Sequence, residues 1–483
     1  MISLPIPIIS AIYPEVVLTI FALLVIVSDL FLGKERKDIL AYLSIAGLVI
    51  ATILTVRGIG GGTINTFSGM FVLDDFSAFF KIIFYVTSAL SILISIRYLK
   101  IEEINKGEYY AMILLSTVGM MIMASGSDLI SIYLGLELMA LSVYILAGFM
   151  RKSIRSNEAA LKYFVLGCFS SGIFLYGVSL LYGITGTTNI KEIATIITIN
   201  NLSTNPALFL AVILVGVGFC FKIAAVPFHM WVPDVYEGAP TSITAFMSVG
   251  PKAAAFVALI RVLIQGLNSI TADWSLMLSV ISILTMAVGN ILAIVQSNIK
   301  RMLAYSSIAH AGYALIGVVA GGQIGVSAVA MYLAIYIFMN IGAFAIVIML
   351  RNGVMLGEEI NDFTGLAKKN RLAALFMLIF MFSLTGLPPT AGFIGKFYVF
   401  MAAIKAGYLW LVVAGVIFSA ISAYFYLRVV MVMYMKEPQA EFNLAASPAL
   451  NVALLISVAA VIAFGIFPFS LIELAWTSVS VLF

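Results

Sequence analysis

Fourteen apolar stretches, each long enough to cross a bilayer, follow one another near 7–32, 38–57, 76–97, 108–126, 128–150, 158–184, 207–227, 240–266, 273–296, 302–321, 324–350, 372–404, 407–434 and 449–476. A helix needs about 20 apolar residues to span a hydrocarbon core of about 30 Å. Lipid offers no partner to a free backbone amide, so runs of this length have the helix as their only workable conformation. The sequence therefore predicts an all-α polytopic membrane protein of about 14 transmembrane helices. Composition agrees, since 63% of the 483 residues are hydrophobic and 10% are charged. No stretch is left for a water-soluble domain.

Loop charges give the orientation. One side carries 17 cations: Lys34, Arg36 and Lys37; Arg97, Lys100 and Lys106; Arg151, Lys152 and Arg155; Lys300 and Arg301; Arg351, Lys368, Lys369 and Arg371; Arg428 and Lys436. The other side carries Arg57, Lys191 and Lys405. Because cytoplasmic loops hold the excess of Lys and Arg, both termini are expected on the outer side. The net charge of +4 follows from this topology and does not point to nucleic acid. No Lys or Arg precedes Lys34, so the first span is expected to be retained and not cleaved as a signal peptide. Cys168 and Cys220 fall singly within predicted spans. Both read as packing residues, and neither an iron–sulfur nor a zinc site is expected.

Four ionisable residues lie deep in apolar runs: Glu137 in SIYLGLELMALSVY, Lys222 in GFCFKIAAVPFH, Lys252 in MSVGPKAAAF and Lys396 in GFIGKFYVF. Each costs about 2.5 to 3.5 kcal/mol at a helix centre, so the set costs on the order of 10 kcal/mol if unpaired. A function is the reading that accounts for such a cost. Lysine suits proton handling, because its compact ammonium sheds a proton once desolvated and keeps it beside a carboxylate. Glu137 stands about 14 Å into its span, so its approach to Lys222 would make a switchable pair. Lys162, Lys252, Tyr305, His229, His310 and Lys396 would extend the path through water, histidine titrating nearest neutrality.

Plainer readings exist for several of these positions. Lys81, Lys162 and Arg261 lie near span ends, where long cationic side chains snorkel to the headgroups; for Lys81 and Arg261 that reading is preferred. His229 borders a break and suits capping of freed backbone groups. In AYSSIAHAGYAL, His310 has small neighbours that allow close helix packing. For Lys162 and the two histidines both readings stay open.

Two spans are interrupted by proline, which removes a donor and clashes with the preceding turn. Pro227, Pro233 and Pro240 follow Lys222, and Pro388 and Pro389, with Gly386, Gly392 and Gly395, precede Lys396. The interrupted spans are the seventh and twelfth. An offset of five makes them run in opposite directions, the layout of inverted transporter repeats with binding groups at broken helices. The division expected is 1–107 (three N-terminal helices), 108–266 (first repeat), 267–436 (second, inverted repeat) and 437–483 (last helix).

Three long segments carry a family resemblance: PFHMWVPDVYEGAP after Lys222, NIKRMLAYSSIAHAGY over 298–313, and SLTGLPPTAGFIGKFYVF over 383–400. With them the chain resembles the antiporter-like membrane subunits of respiratory complex I, and among these the N subunits. The M subunits resemble it with a glutamate in place of Lys396, and the L subunits add a long lateral helix. The resemblance implies fourteen helices, two inverted five-helix repeats, and a proton path through Glu137, Lys162, Lys222, His229, Lys252, Tyr305, His310 and Lys396. It implies no redox cofactor in this chain, with FMN, iron–sulfur clusters and quinone in other subunits of an NADH:quinone oxidoreductase. Neighbouring antiporter-like and small membrane subunits are the implied partners, quinone entering only through the whole complex. An energy-transducing membrane, the prokaryotic plasma membrane, is the implied setting. Two other functions compete. A Mrp-type sodium/proton antiporter shares the fold, but sodium wants carboxylate and carbonyl oxygens and Glu137 is the one clearly deep carboxylate in this reading. A structural spacer predicts that Lys222→Ala leaves pumping intact.

Overall fold

The computed structural model describes residues 7–33, 36–351, 357–438 and 445–483; Lys34 of the first basic loop lies outside them. Three helices come first, α1 (Tyr13–Asp29), α2 (Asp38–Arg57) and α3 (Asp75–Ile101), with an antiparallel hairpin of β1 (Ile64–Thr66) and β2 (Phe71–Leu73) between the last two. Next come α4 (Gly107–Ser125), α5 (Leu129–Ala147), α6 (Ile154–Thr185), the short α7 (Ile190–Ile199), α8 (Pro206–Ile223), α9 (Trp231–Gly238) and α10 (Thr241–Arg261). The rest comprises α11 (Thr271–Ile294), α12 (Ile299–Ala320), α13 (Gly322–Leu350), α14 (Leu366–Lys369), α15 (Arg371–Thr385), α16 (Ala391–Lys405), α17 (Leu409–Met435), α18 (Pro448–Ile466) and α19 (Phe469–Ser480).

Among the described residues thirteen helices are long and apolar enough to cross a membrane. The broken pair α15 and α16 makes up the expected twelfth span, which brings the crossings to fourteen. Hydropathy did not foresee the β-hairpin, α7, or the division of the last span at Phe467 and Pro468 into α18 and α19. Nor did it tell inner helices from outer ones, since lipid tails are as apolar as a protein core. The core lies along α10, α12 and α13, whose most apolar windows are 94–100% buried, whereas those of α1, α17 and α18 are 33% buried.

The two halves share local geometry. Asp128, which caps α5, bridges to Asn189, and Asn298, which caps α12, bridges to Glu359. Each member of the second bridge stands 170 residues after its counterpart, as 298 does after 128. The hydrogen bonds repeat as well: Leu129 N to Thr188 O and Ile190 N to Ser127 O in the first half, Ile299 N to Glu358 O and Ile360 N to Ser297 O in the second. Close helix crossings recur at the same offset. A Cβ on Gly119 would meet Met139 N at 2.5 Å and Gly135 O at 2.6 Å, and one on Gly289 would meet Ala309 N at 2.6 Å and Tyr305 O at 2.9 Å. Gly119→Val and Gly289→Val are therefore expected to push α4 from α5 and α11 from α12. Overpacking of this kind costs about 1–3 kcal/mol and should lower the melting temperature of the purified protein. Unchanged melting in both variants would refute the close approach.

Candidate functional site

The first break begins where Ala224 takes a left-handed φ of 64° and ends α8. Pro227 has no amide to continue the helix, and its neighbours satisfy the freed groups. Ala225 N donates to Cys220 O at 2.8 Å, Trp231 Nε1 to Phe221 O at 3.2 Å, and Val226 N to Thr285 Oγ1 of α11 at 2.9 Å. Lys222 thus sits in the last turn of a half-helix, where the negative end of the helix dipole favours a cation. It is buried, and its Nζ donates to the Tyr144 hydroxyl at 3.2 Å and lies 5.5 Å from that ring's centre.

Glu137 precedes Tyr144 on α5 by two turns, so both occupy one face. It is half-buried and accepts a hydrogen bond from Ser171 of α6. Among the described residues Glu137 and Lys222 form no direct ion pair. The carboxylate expected at Lys222 is replaced by a tyrosine hydroxyl.

The second break follows Gly386, whose φ is 90°. Leu387 N donates to Phe382 O at 3.0 Å, and Gly392 N to Ser383 Oγ at 3.0 Å. From α16, the Lys396 ammonium reaches back to the open end of α15, donating to Leu384 O at 3.2 Å, Thr385 O at 2.8 Å and Ser419 Oγ at 2.9 Å. It lies 4.6 Å from the centre of the Tyr313 ring. Each break therefore presents a buried lysine at the negative end of a half-helix and beside a tyrosine, Tyr144 of α5 or Tyr313 of α12.

Lys252 on α10 donates to Ser307 O at 3.0 Å and to the Ser307 hydroxyl. One turn along α12, His310 pairs Nδ1 with the Tyr332 hydroxyl at 2.6 Å and Nε2 with the Tyr426 hydroxyl at 3.1 Å, and Tyr426 in turn bonds Ser306. Residues 306, 307, 310 and 313 share one helical face, so α12 gathers the contacts of Lys252, His310 and Lys396. Tyr305 is buried on the same helix. His310 does not face small residues: Tyr332, Tyr336 and Tyr426 surround it, while Ala309 and Gly312 pack on α11. Between Lys222 and Lys252 runs an aromatic series. Tyr144 meets Tyr163 edge-on at 4.7 Å, Tyr163 stacks on Trp231 at 4.2 Å, and Trp231 meets Tyr236 at 6.1 Å.

The hydroxyls of Tyr144, Ser171, Ser307, Tyr332, Ser419 and Tyr426 were not legible as site residues. Hydroxyls are common in membrane spans, and none of these six stands out by cost. A usable signal existed for Tyr144 alone, two turns from Glu137.

Lys162 and His229 lie apart from this row. The Lys162 side chain is 41% exposed, with Nζ 2.7 Å from Glu158 and 3.0 Å from Asp234. Arg301 reaches Asp234 at 2.8 Å and Glu237 at 2.9 Å. These residues line a cavity of about 190 Å³ at the end of the molecule that carries the basic loops. Burial pushes the Asp234 carboxyl up, but Lys162 and Arg301 together hold it below the usual carboxylate range. His229 is buried in the first break with Nδ1 unpartnered, and burial lowers its imidazole against the opposing Pro227 carbonyl.

Three expectations are corrected. Lys81 does not snorkel: it is fully buried and pairs with buried Glu15 of α1 at 2.6 Å. Arg261, 1% exposed, grips Asp74 through two bonds of 2.9 and 3.1 Å and donates to Ala124 O at 2.9 Å. Glu15 and Asp74 are buried carboxylates at the starts of α1 and α3. Cys220 is buried as expected, whereas Cys168 is exposed on α6.

A family model described as NADH:quinone oxidoreductase/Mrp antiporter, TM, matches residues 126–422, and one described as NAD(P)H-quinone oxidoreductase subunit 2 N-terminal matches residues 2–97. The chain is 49% identical to NADH-quinone oxidoreductase subunit N of Trichlorobacter lovleyi, over 98% of this chain and 97% of that one. It is 50% identical to subunit N 2 of Rhizobium meliloti, over 96% of each. Among solved structures, a chain of respiratory complex I from Thermus thermophilus is 30% identical with a TM-score of 0.80, over 95% of this chain and 98% of that one.

Proposed function

Because the chain belongs to the membrane family shared by NADH:quinone oxidoreductases and Mrp antiporters, on its NADH-quinone oxidoreductase subunit N branch, we propose that it carries protons across the membrane for a complex I type NADH:quinone oxidoreductase. The observation that carries this reading is the pair of half-helix ends, each with a buried lysine: the polar face of α12 links Lys396 to His310 and Lys252, and an aromatic series runs from Lys252 towards Lys222. Lys222, Lys252 and Lys396 hold protons as ammonium groups. Tyr144, Ser307, His310 and Tyr426 offer neutral sites between them, and bound water completes the path. Glu137 acts on Lys222 through its field: as that carboxylate turns toward the lysine the proton is held, and as it turns away transfer onward is favoured. Tyr305 is buried on α12, the helix that carries this route, and His229 lies apart from it in the first break.

Redox chemistry is assigned to partner subunits bearing FMN, iron–sulfur clusters and the quinone site, and neighbouring antiporter-like and small membrane subunits flank this chain. The loop cations support an orientation with both termini outside, and the bacterial origin of the similar subunits supports a prokaryotic plasma membrane setting. Sodium exchange fits less well, because Glu15 and Asp74 are already paired with Lys81 and Arg261, which leaves Glu137, among the described residues, as the one carboxylate far inside a span for a hard cation. The test is to tag the chain and purify it gently from its own membranes. Flavin- and iron–sulfur-containing subunits should accompany it. Their absence, together with sodium-driven proton exchange by the purified assembly, would overturn the reading in favour of an antiporter.

A further inference from the structure

Lys162 differs in kind from the three deep lysines. Those are buried and donate only to neutral oxygens: a tyrosine hydroxyl for Lys222, a serine for Lys252, two carbonyls and a serine for Lys396. Each can lose its proton without stranding an anion. Lys162 is partly exposed and lies against two carboxylates, Glu158 and Asp234. Asp234 is divided, its Oδ2 taken by Lys162 and its Oδ1 by Arg301, whose guanidinium keeps its proton. Neutral Lys162 would leave Glu158, Asp234 and Glu237 facing Arg301 and the nearby Arg155. The arrangement favours a permanent charge.

The same residues fix α9, the short helix that follows the first break. On the α6 side, adjacent residues grip it twice, Lys162 through Asp234 and Tyr163 through the stack on Trp231, with 6° between the ring planes. On the α12 side, Arg301 holds Asp234 and Glu237, while Lys300, 2% exposed, donates to Glu237 O at 2.7 Å and Ala239 O at 2.9 Å. Trp231 also bonds the carbonyl of Phe221, the residue before Lys222, and Tyr163 abuts Tyr144, the partner of Lys222. Any shift of α9 is thus felt at Lys222.

We propose that Lys162 is a fixed-charge latch and not a proton carrier: with Asp234 it pins α9 between α6 and α12 and so positions Lys222. This inference rests on the proton-carrying reading above. The experiment compares Lys162→Arg, Lys162→Met, Asp234→Asn and Lys222→Ala in the assembled complex, measuring pumping into vesicles and amide hydrogen exchange over residues 231–239. Lys162→Arg keeps a charge that cannot release its proton, and it should retain both pumping and α9 protection. Lys162→Met and Asp234→Asn should each lose pumping severalfold and speed α9 exchange severalfold, and their double variant should be no worse than either. If Lys162→Arg loosens α9, pumping should fall with it. Loss of pumping in Lys162→Arg or Lys162→Met with α9 as protected as in the wild type would make Lys162 a carrier and overturn the latch. Undiminished pumping in Lys222→Ala would instead sink the underlying reading, a result separate from either Lys162 outcome.

Discussion

Replacing Lys222 with alanine is expected to abolish proton pumping by the assembled complex while the chain still inserts and assembles. Function and stability separate here because of what the lysine touches. Its Nζ makes one side-chain hydrogen bond, to Tyr144, and no direct ion pair is broken when it goes, since half-buried Glu137 is held by Ser171. Removing an expensive cation from a membrane interior is itself favourable by about 2.5–3.5 kcal/mol on insertion scales, which offsets the packing lost with its stem. Pumping, by contrast, loses the buried amine at the first half-helix end. Glu137→Ala should lower pumping for the complementary reason, because the field that holds and frees the proton is gone. The measurement is dye-reported acidification of vesicles, with assembly checked by native electrophoresis. Wild-type pumping in an assembled Lys222→Ala complex would sink the mechanism and revive the structural spacer.

Whatever carries its cost in single residues was readable from the sequence. A span needs its apolar run, a proline breaks its own turn, and a deep lysine is costly wherever it sits, so the fourteen crossings, the two breaks and the burial of Lys222, Lys252 and Lys396 were legible. What depends on a partner far along the chain was not. Lys81 and Arg261 looked like ordinary snorkelling cations because Glu15 lies in the first helix and Asp74 in the connection before α3, 187 residues from Arg261. Lys300 and Arg351 were counted as loop charges for orientation, yet both are largely buried and share Glu358. The repeat was inferred from layout, and its 170-residue offset became visible only in backbone bridges and close glycine contacts, which tolerate nearly complete divergence of side chains.

The largest effect on stability is expected at Arg261 and Asp74. Asp74 caps α3, accepting from Ser77 N at 2.8 Å, so this one carboxylate ties the start of α3 to α10 and, through Arg261, to the end of α4 at Ala124. Arg261→Ala leaves the carboxylate buried with Ser77 alone, and breaking a buried pair from one side costs about 3–5 kcal/mol. Asp74→Ala is expected to be at least as damaging, because it strands the guanidinium and removes the cap. Exchanging both residues for apolar ones of similar size, Asp74→Leu with Arg261→Met, removes both charges, and such replacements are often neutral or better; the loss of the cap, about 1 kcal/mol, and of the donor to the Ala124 carbonyl should remain. The sign of the pH effect follows from the carboxyl. Burial pushes it up, but Arg261 and Ser77 hold it below its ordinary value, so its contribution is fully present above the unfolded value of about 3.9 and is lost as pH falls through the folded one. In Arg261→Ala burial still pushes the carboxyl up while Ser77 alone opposes it, so the defect should shrink as pH falls and the stranded carboxylate takes a proton. Thermal unfolding of the purified protein would show it as a large drop in the single variants that the double variant mostly restores; a double variant as unstable as Arg261→Ala would mean that the pair holds the three helices together by more than its charges.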